Sequence, residues 1–328
     1  MSRAVDLDQG TAFVVTDLHG AWEPYARCRD RFLALHAQGQ ADRLIFLGDL
    51  IHGYGPPEAD RSLDIILDIL RLRDELGPDA VIVLLGNHEM PHIYGLTLSK
   101  GEMTFTPAFE HALGPHRERV IAFFKSLPFV ARTAGGVILA HAGASASTAA
   151  PEAAERLLAW SHDALLSAAD DLLARQDVQD LIARTFKWSP GQYEHMARYY
   201  LGADGPEDPR YTDLLRGLLI SEGFEEFGLL WDLLFTQCEQ GAGGGAIYRQ
   251  VLQRFLAAFS RPEGPPAQVL VTGHIVTRGG HAIVAGQQLR LSSWTHARPN
   301  EAGVYLLFDV AQPVWLATDL EPLLHPVR

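Results

Sequence analysis

The chain has 328 residues, of which 47% are hydrophobic and 20% charged, a composition typical of a globular protein with a sizeable core. Its formal net charge of -13 at pH 7 argues against non-specific binding to nucleic acid or to a membrane surface. Cys28 and Cys238 form no CxxC pair and no disulfide framework, which favours free thiols in a reducing compartment. The sequence shows no signal peptide and no membrane-spanning run, so we expect a cytoplasmic protein.

Apolar strands alternate with amphipathic helices in the first part of the chain. The predicted elements are the strands Ala12–Thr16, Arg43–Leu47 and Ala80–Leu85, the helices Ala21–Ala37 and Asp60–Leu76, and a strand pair Phe129–Thr133 and Gly136–Ala140. This order predicts an α/β fold in which helices pack on a sheet.

The later part of the chain divides into a helical stretch and a group of short strands. Residues 151–235 are rich in Ala and Leu and predict a helical insertion. The predicted late strands are Gln268–Thr272, Ala282–Ala285, Gln288–Ser293, Gly303–Asp309 and Val314–Thr318. Their turn-separated spacing favours a mainly antiparallel sheet, with loops at 241–245 and 262–266. We therefore expect one domain over residues 1–328, with two sheets and a helical insertion or cap at 151–235.

Five short motifs share one feature, because each places a metal-ligand type of residue just after a predicted strand. They are Asp17-Leu18-His19, Gly48-Asp49, Gly86-Asn87-His88-Glu89, His141-Ala142-Gly143 and Gly273-His274. Each motif alone is a weak signal, but α/β folds place their sites at the carboxyl ends of strands, so together they predict one shared site. Carboxylate, amide and imidazole ligands without a thiolate suit Mn, Fe, Zn or Co. The glycines allow sharp turns and a close approach of the backbone.

Together the five motifs resemble the calcineurin-like metallophosphoesterase superfamily, over roughly residues 12–309. The resemblance implies a four-layer α/β/β/α sandwich of two mixed sheets. It implies that a first metal ion is bound by Asp17 and His19, and that Asp49 bridges both ions. The second ion would be bound by Asn87, His141 and His274. His88 would lie beside the leaving group without binding metal.

This ligand set predicts a specific hydrolytic reaction. Two ions about 3.5–4 Å apart clamp a phosphate and bind a hydroxide, which becomes available near pH 7 because the ions lower the pKa of water. The hydroxide attacks phosphorus in line, and an acid protonates the leaving oxygen. We expect His88 to be this acid, since imidazole titrates near neutrality.

Three further stretches are similar to the serine/threonine phosphoprotein phosphatase branch. Gly273-His274-Ile275-Val276 lacks the second histidine of the Gly-His-x-His motif found in many other members of the superfamily. Leu229-Leu230-Trp231-Asp232 resembles the branch's Leu-Leu-Trp-Ser-Asp, and Ser293–Gly303 resembles the loop that borders its active site. The similarity implies a phosphomonoesterase.

The chain also departs from that branch. Its usual Gly-Asp-x-x-Asp-Arg-Gly is replaced by a run in which His52 and Gly53 stand where the Asp and Arg would be. A neutral His52 could accept a hydrogen bond from His88, but it adds no negative charge, and the missing Arg removes a bidentate phosphate ligand. We consider Arg61, His296 and Arg298 as substrate-binding residues. The alternative for Arg61 is a solvated arginine at a helix start. The alternative for His296 and Arg298, as for Trp294 in the same loop, is that they only pack and are hydrated.

The predicted substrate is a phosphorylated molecule: a phosphoprotein, a nucleotide or a small phosphoester. One alternative is a phosphodiesterase or dinucleoside-polyphosphate hydrolase on the same fold, which the loss of the arginines favours. Another is a non-catalytic binding scaffold, which the complete ligand set opposes. We expect no nucleic-acid or membrane partner.

Overall fold

The computed structural model describes residues 2–187, 189–235 and 245–328. Cys238 and residues 241–244 of one predicted loop lie outside the described residues. The chain forms two compact units. The first comprises Met1–Asn87, Leu127–Trp160 and Leu229–Arg328, and the second comprises His88–Ser126 and Ser161–Gly228. No helix in the described part of the chain is long and apolar enough to cross a membrane.

The strands are short and are numbered in chain order. They are β1 (Ala4–Leu7), β2 (Thr11–Val15), β3 (Arg43–Phe46), β4 (Val81–Val83), β5 (Ser99–Lys100), β6 (Met103–Thr104), β7 (Val130–Thr133), β8 (Val137–Ala140), β9 (Val269–Thr272), β10 (Thr277–Arg278), β11 (His281–Val284), β12 (Gln288–Leu291), β13 (Ala297–Arg298), β14 (Val304–Asp309) and β15 (Leu324–Pro326). All except the β5–β6 hairpin belong to the first unit.

Two mixed sheets form the centre of the first unit. One has six strands in the order β1-β7-β8-β9-β12-β11, and the other has five in the order β15-β14-β2-β3-β4. Their facing side chains form one buried apolar core, which includes Val14, Ile45 and Leu306 from the five-stranded sheet and Val271 and Leu289 from the six-stranded sheet. Removal of this surface from water is the main force that holds the two sheets together.

Helices cover the outer faces of the sheets. In the first unit they are α1 (Trp22–Ala37), α2 (Ser62–Leu76), α6 (Pro151–Leu158), the end of α11 (Glu225–Leu234) and α12 (Ala246–Phe259). α1 and α2 contact strands of the five-stranded sheet, while Tyr248 of α12 donates a hydrogen bond of 2.6 Å to Gln288 in the six-stranded sheet. The predicted sandwich of two mixed sheets between helices is therefore confirmed.

The second unit is mainly helical. It contains α3 (Met90–Tyr94), α4 (Thr106–Leu113), α5 (Arg117–Ser126), α7 (His162–Leu173), α8 (Val178–Phe186), α9 (Pro190–Leu201), α10 (Asp213–Gly223) and the start of α11. Ile182, Tyr193, Leu201 and Leu215 form its apolar core. A capping box at Ser189 begins α9, where the Ser189 hydroxyl accepts from Gln192 N and the Gln192 side chain accepts from Ser189 N.

Two expectations about the late strands are wrong. Val314–Thr318 is not a strand; its second half enters a 3-10 helix, Ala317–Leu323, because the Asp319 carboxylate accepts from the backbone N–H groups of Trp315 and Leu316. The six-stranded sheet is not mainly antiparallel either, since β9 is parallel to both β8 and β12. β9 follows a long helical crossover from β8, which is the connection that parallel neighbours require.

The unit boundaries differ from the expected insertion at 151–235. The second unit takes 161–228 of that stretch and also 88–126. Helix α6 stays with the first unit, where Arg3 N donates to Leu158 O at 2.9 Å and Arg3 Nε donates to Trp160 O at 3.0 Å. That residues 1–328 act as one catalytic domain stays a prediction.

Candidate metal centre

Strand order brings the predicted ligand residues to one edge of the first unit. β2, β3 and β4 are parallel neighbours, so Asp17, Asp49 and Asn87 follow them at the same edge of the five-stranded sheet. β8 and β9 are parallel neighbours in the other sheet, and they are followed by His141 and His274. Because the two sheets pack face to face, both sets of side chains reach one cluster.

Several of these residues hold a backbone conformation that L-amino acids rarely adopt. The φ angle is +50° at Asp17, +45° at His19, +55° at Asp49 and +68° at His274. Each such non-glycine residue costs on the order of 1 kcal/mol or more. Strain of this kind persists where the surrounding structure enforces it, and it concentrates at functional sites.

Two of the motif glycines lie where no side chain fits. A Cβ at Gly48 would come within 2.6 Å of Gly86 Cα and 3.0 Å of His141 Nδ1. A Cβ at Gly273 would come within 1.9 Å of Thr16 Oγ1 and 2.1 Å of Asp17 Oδ2. The expected role of these glycines, a close approach of the backbone to a metal ion, stays a prediction; in the structure the neighbouring motif approaches them.

Atoms that carry lone pairs converge around His141. Its Nδ1 lies 2.8 Å from Leu47 O, so Nδ1 carries the proton and Nε2 carries the lone pair. Nε2 then faces Asn87 Oδ1 at 2.7 Å, His274 Nδ1 at 3.2 Å and Asp49 Oδ1 at 3.5 Å. Acceptors packed this closely repel one another unless they share a cation.

His19 repeats this arrangement on the other side of Asp49. Its Nδ1 lies 3.1 Å from Ile51 O, which again leaves Nε2 as the acceptor. Nε2 lies 3.6 Å from Asp49 Oδ2, so the two oxygens of Asp49 face two different histidines. Asp49 therefore lies between the two imidazole rings.

Asp17 completes the cluster. Its oxygens accept from the backbone N–H of His274 at 3.0 Å and from the Thr16 hydroxyl. His296 Nδ1 also lies 3.0 Å from Asp17 Oδ1. Burial raises the pKa of Asp17, but the neighbouring imidazoles, His296 first, lower it below its ordinary value, so this carboxylate stays ionised.

The histidines of the cluster are neutral. Burial, followed by repulsion from His296, lowers the pKa of His19 to about 3. Burial, followed by repulsion from His141, lowers the pKa of His274 to about 3. Burial also lowers the pKa of His141. Neutral imidazole is the form that binds metal ions, so the charge state of these histidines is consistent with a role as metal ligands.

The cluster therefore contains groups of side chains that could bind metal ions. Asp17, His19 and His296 form one group of ligand atoms within 4.8 Å of one another, and Asp49, His141 and His274 form another. Nitrogen and oxygen donors without sulfur suit the transition metals expected from the sequence.

The two histidines predicted to be catalytic, His88 and His52, are both buried. His88 is buried, begins the second unit directly after Asn87, and has its ring 5.2 Å from Phe105. His52 is buried and its backbone N–H donates to Ser62 Oγ at 2.9 Å. The roles proposed for both histidines stay predictions.

The two candidate arginines are engaged elsewhere. The Arg61 side chain is 48% exposed, bonds Asp64 and lies over the Trp22 ring at 5.3 Å. Arg298 Nη1 donates to Thr295 O at 2.7 Å and to Ala297 O at 2.8 Å, within its own loop. Neither contact is to a ligand atom.

Two residues near the cluster were not identified from the sequence. The Tyr54 ring lies 4.9 Å from that of His19, and burial raises the pKa of its hydroxyl. Asp60 accepts from Gly53 N at 3.1 Å and from Ser62 N at 2.9 Å, which fixes the loop after Asp49. Both residues lie in or after the stretch 54–59, which matches no motif, so the sequence held no signal for them.

Comparison with known proteins agrees with the geometry. A family model described as calcineurin-like phosphoesterase matches residues 11–213, more than half of the chain. A comparison with curated proteins finds no match.

Solved structures of phosphatases and phosphoesterases are similar to the chain. A protein serine/threonine phosphatase from Saccharomyces cerevisiae, with similarity to human phosphatase PP5, is 15% identical, with 93% of this chain and 76% of that chain covered and a TM-score of 0.49. A cold-active protein-tyrosine phosphatase from a Shewanella species is 16% identical, with 94% and 77% covered and a TM-score of 0.43. The phosphoesterase Yfce from E. coli is 20% identical, with 40% and 57% covered and a TM-score of 0.22.

The family match covers four of the five motifs, and the structure brings the fifth, Gly273-His274, to the same cluster. The chain therefore belongs to the calcineurin-like phosphoesterase family, whose members are hydrolases that act on phosphate esters.

Proposed function

We propose that the chain is a phosphomonoesterase that works with two metal ions. Asp17, His19 and Asp49 would hold one ion, and the other would be held by Asp49, Asn87, His141 and His274. The observation that carries the proposal is the convergence of lone-pair atoms on His141 Nε2, with Asn87 Oδ1 at 2.7 Å and His274 Nδ1 at 3.2 Å. A buried group of acceptors is costly without a cation.

The residues of the chain prepare the site in two ways. Backbone carbonyls of Leu47 and Ile51 accept from Nδ1 of His141 and His19 and so fix each ring with Nε2 toward the cluster. The two oxygens of Asp49 face the two ligand groups. When bound, two such ions polarise phosphoryl oxygens and lower the pKa of a water molecule toward ~7.

His88 is proposed as the acid that protonates the leaving oxygen. It follows the ligand residue Asn87 directly in the chain, and its imidazole is of the type that exchanges protons near neutral pH. His52 would orient it only as a neutral hydrogen-bond partner.

One observation favours a phosphodiester or dinucleoside polyphosphate as the alternative substrate. Arg61 is bonded to Asp64 and Arg298 to its own loop, so neither arginine grips a terminal phosphate in this conformation. A diester carries less charge on its reacting phosphate and depends less on such a grip.

The first experiment removes the metal and restores it. Metal-free protein should not hydrolyse an aryl phosphate, and Mn²⁺, Fe²⁺, Zn²⁺ or Co²⁺ should restore turnover. Absence of turnover with every ion would contradict the proposal. A panel of phosphopeptides, nucleotides and dinucleoside polyphosphates then separates the monoesterase from its alternative by comparing kcat/KM.

A pair of neighbouring variants separates ligand from acid. Asn87→Ala should lower metal content at one of the two positions. His88→Ala should keep both ions and reduce turnover by about 10²–10⁴-fold for esters with poor leaving groups. Loss of metal in His88→Ala would show that His88 is itself a ligand.

A further inference from the structure

We propose that His296 is a metal ligand, and that it binds the same ion as Asp17 and His19. The inference rests on the metal-dependent function proposed above. His296 lies outside the five motifs, and the sequence suggested it only as a residue that contacts substrate. His296 is 5% exposed, which is too little for a side chain that reaches out to meet a substrate.

The loop that carries His296 is fixed to the strand end that carries Asp17. Thr295 N donates to Asp17 O at 3.2 Å, and Thr295 Oγ1 donates to Leu18 O at 3.1 Å. Three residues before His296, Ser293 Oγ accepts from Thr16 N at 3.0 Å. Backbone and side chain thus hold the loop against the first motif, and the position of the imidazole is set by these bonds.

His296 and Asp17 are in close contact. Nδ1 lies 3.0 Å from Asp17 Oδ1, yet within the described residues no atom meets hydrogen-bond geometry to this buried nitrogen. Two ligands bound at about 2.0–2.2 Å to one ion lie roughly 3 Å apart with both lone pairs directed at the ion. The His19 ring is 5.0 Å away, and one atom from each of the three residues falls within 4.8 Å of the others.

Strand register explains how His296 reaches this position. β10 and β13 pair in parallel with Thr277 opposite Ala297, and Thr277 N donates to His296 O at 2.9 Å. One residue earlier, the same register places Val276 beside His296. Val276 occupies the position of the second histidine in Gly-His-x-His, and its side chain is 44% exposed. The imidazole missing from the fifth motif is therefore supplied by the neighbouring strand.

This ligand makes the two metal positions equivalent in number of donors. The first ion would have Asp17, His19, Asp49 and His296, and the second would have Asp49, Asn87, His141 and His274. With four protein ligands each, both ions have the number that most protein sites provide, and each could still bind water or phosphate by expanding its coordination. His296 is then unavailable as a phosphate-binding residue.

The test is binding of Mn²⁺ alone to metal-free protein, followed by calorimetry and by metal analysis. Wild-type protein should bind two ions per chain. His296→Ala should bind one ion normally and the other at least about tenfold more weakly, and added imidazole should restore part of that affinity. His281→Ala is the matched control, because His281 is in the same unit and faces an acid, Glu321, at 3.3 Å. It should match wild type.

Two normal affinities in His296→Ala would overturn the inference. If this variant does not fold, the nitrogen resonances of the histidines in wild-type protein provide the second measurement. Nδ1 of His296 should shift when Zn²⁺ is added; an unchanged resonance in protein that binds two ions would also overturn it.

The outcomes separate this inference from the proposed function. Protein that binds two ions with His296, but hydrolyses no phosphate ester, would contradict the function alone. Protein that hydrolyses phosphate esters, but binds both ions normally as His296→Ala, would contradict this inference alone.

Discussion

The two units bury charged side chains in opposite ways. In the second unit, Glu110 accepts from His92 Nδ1 at 2.7 Å and from Arg117 Nε at 3.0 Å, so the buried carboxylate meets donors of the protein itself. In the first unit, Asp49 faces the acceptor nitrogens of His19 and His141 at 3.5–3.6 Å. The first arrangement pairs a carboxylate with donors, and the second gathers residues that could bind a metal ion.

The backbone shows the same difference. Non-glycine residues with φ in the left-handed region include Asp17, His19, Asp49 and His274 in the first unit, while within the described part of the second unit only the exposed Lys187 has this conformation. Backbone strain collected around a cluster of metal-ligand residues indicates function, whereas a buried ion pair on relaxed backbone indicates structure. Variants of the buried carboxylates in the first unit should therefore be tested for activity, and variants of the buried ion pair in the second unit for stability.

The largest effect is expected from a methyl group at Gly273. In Gly273→Ala the Cβ would overlap Thr16 Oγ1 and Asp17 Oδ2, which displaces a ligand carboxylate. We expect metal affinity to fall by at least about 100-fold and turnover to fall with it. Gly223→Ala, in α10 of the second unit, is the control: its Cβ meets nothing within 4 Å, so activity should be unchanged. Wild-type metal content in Gly273→Ala would mean that this close approach is not required.

A smaller effect, on stability rather than activity, is expected in the second unit. Glu110→Gln removes the charge that His92 and Arg117 face and should lower the free energy of unfolding by about 3 kcal/mol, the lower end for a broken buried pair. Urea unfolding measures this loss, and metal content of the folded variant should be unchanged. Glu118→Gln, at an exposed position nearby, should change stability by less than about 0.5 kcal/mol.

The pH dependence of unfolding checks the same carboxylate. Burial raises the pKa of Glu110, but His92 and Arg117 outweigh burial and hold it below its ordinary value of 4.5. A lowered folded-state pKa stabilises the protein fully above the unfolded-state pKa, and this stability is lost as pH falls through the folded-state pKa. The difference between wild type and Glu110→Gln should therefore shrink as the pH falls below about 4.5. A constant difference would show that the Glu110 charge does not stabilise the unit.

The features that could be predicted from the sequence are those that follow a known local pattern of residues. The order of strands and helices along the chain was expected from apolar periodicity, and the approach of the five motifs from their position just after strands. The layered sandwich was implied by the family resemblance. Asp17, Asp49 and His274 could be identified because each closes a strand with a distinctive residue type.

The sequence did not predict what depends on pairing between distant segments. His296 lies 279 residues after Asp17, and its loop is held at the cluster by bonds from Thr295 to Asp17 and Leu18 and by the pairing of β13 with β10, two strands of two residues each. Elements this short carry no periodicity. The attachment of α6 to the first unit likewise depends on distant segments, because Arg3 donates to the carbonyls of Leu158 and Trp160.

The smallest effect is expected at Arg61, the arginine that the sequence offered as a replacement phosphate ligand. Its guanidinium bonds Asp64 and lies over Trp22, so Arg61→Ala should change kcat and KM for an aryl phosphate by less than about twofold. Arg71→Ala, another exposed arginine paired with acids of α2, is the matched control. A tenfold rise in KM for Arg61→Ala alone would mean that substrate draws Arg61 away from Asp64. In that case Arg61 would bind the phosphate in place of the arginine that Gly53 replaces. This result would favour a phosphomonoesterase over the phosphodiesterase alternative.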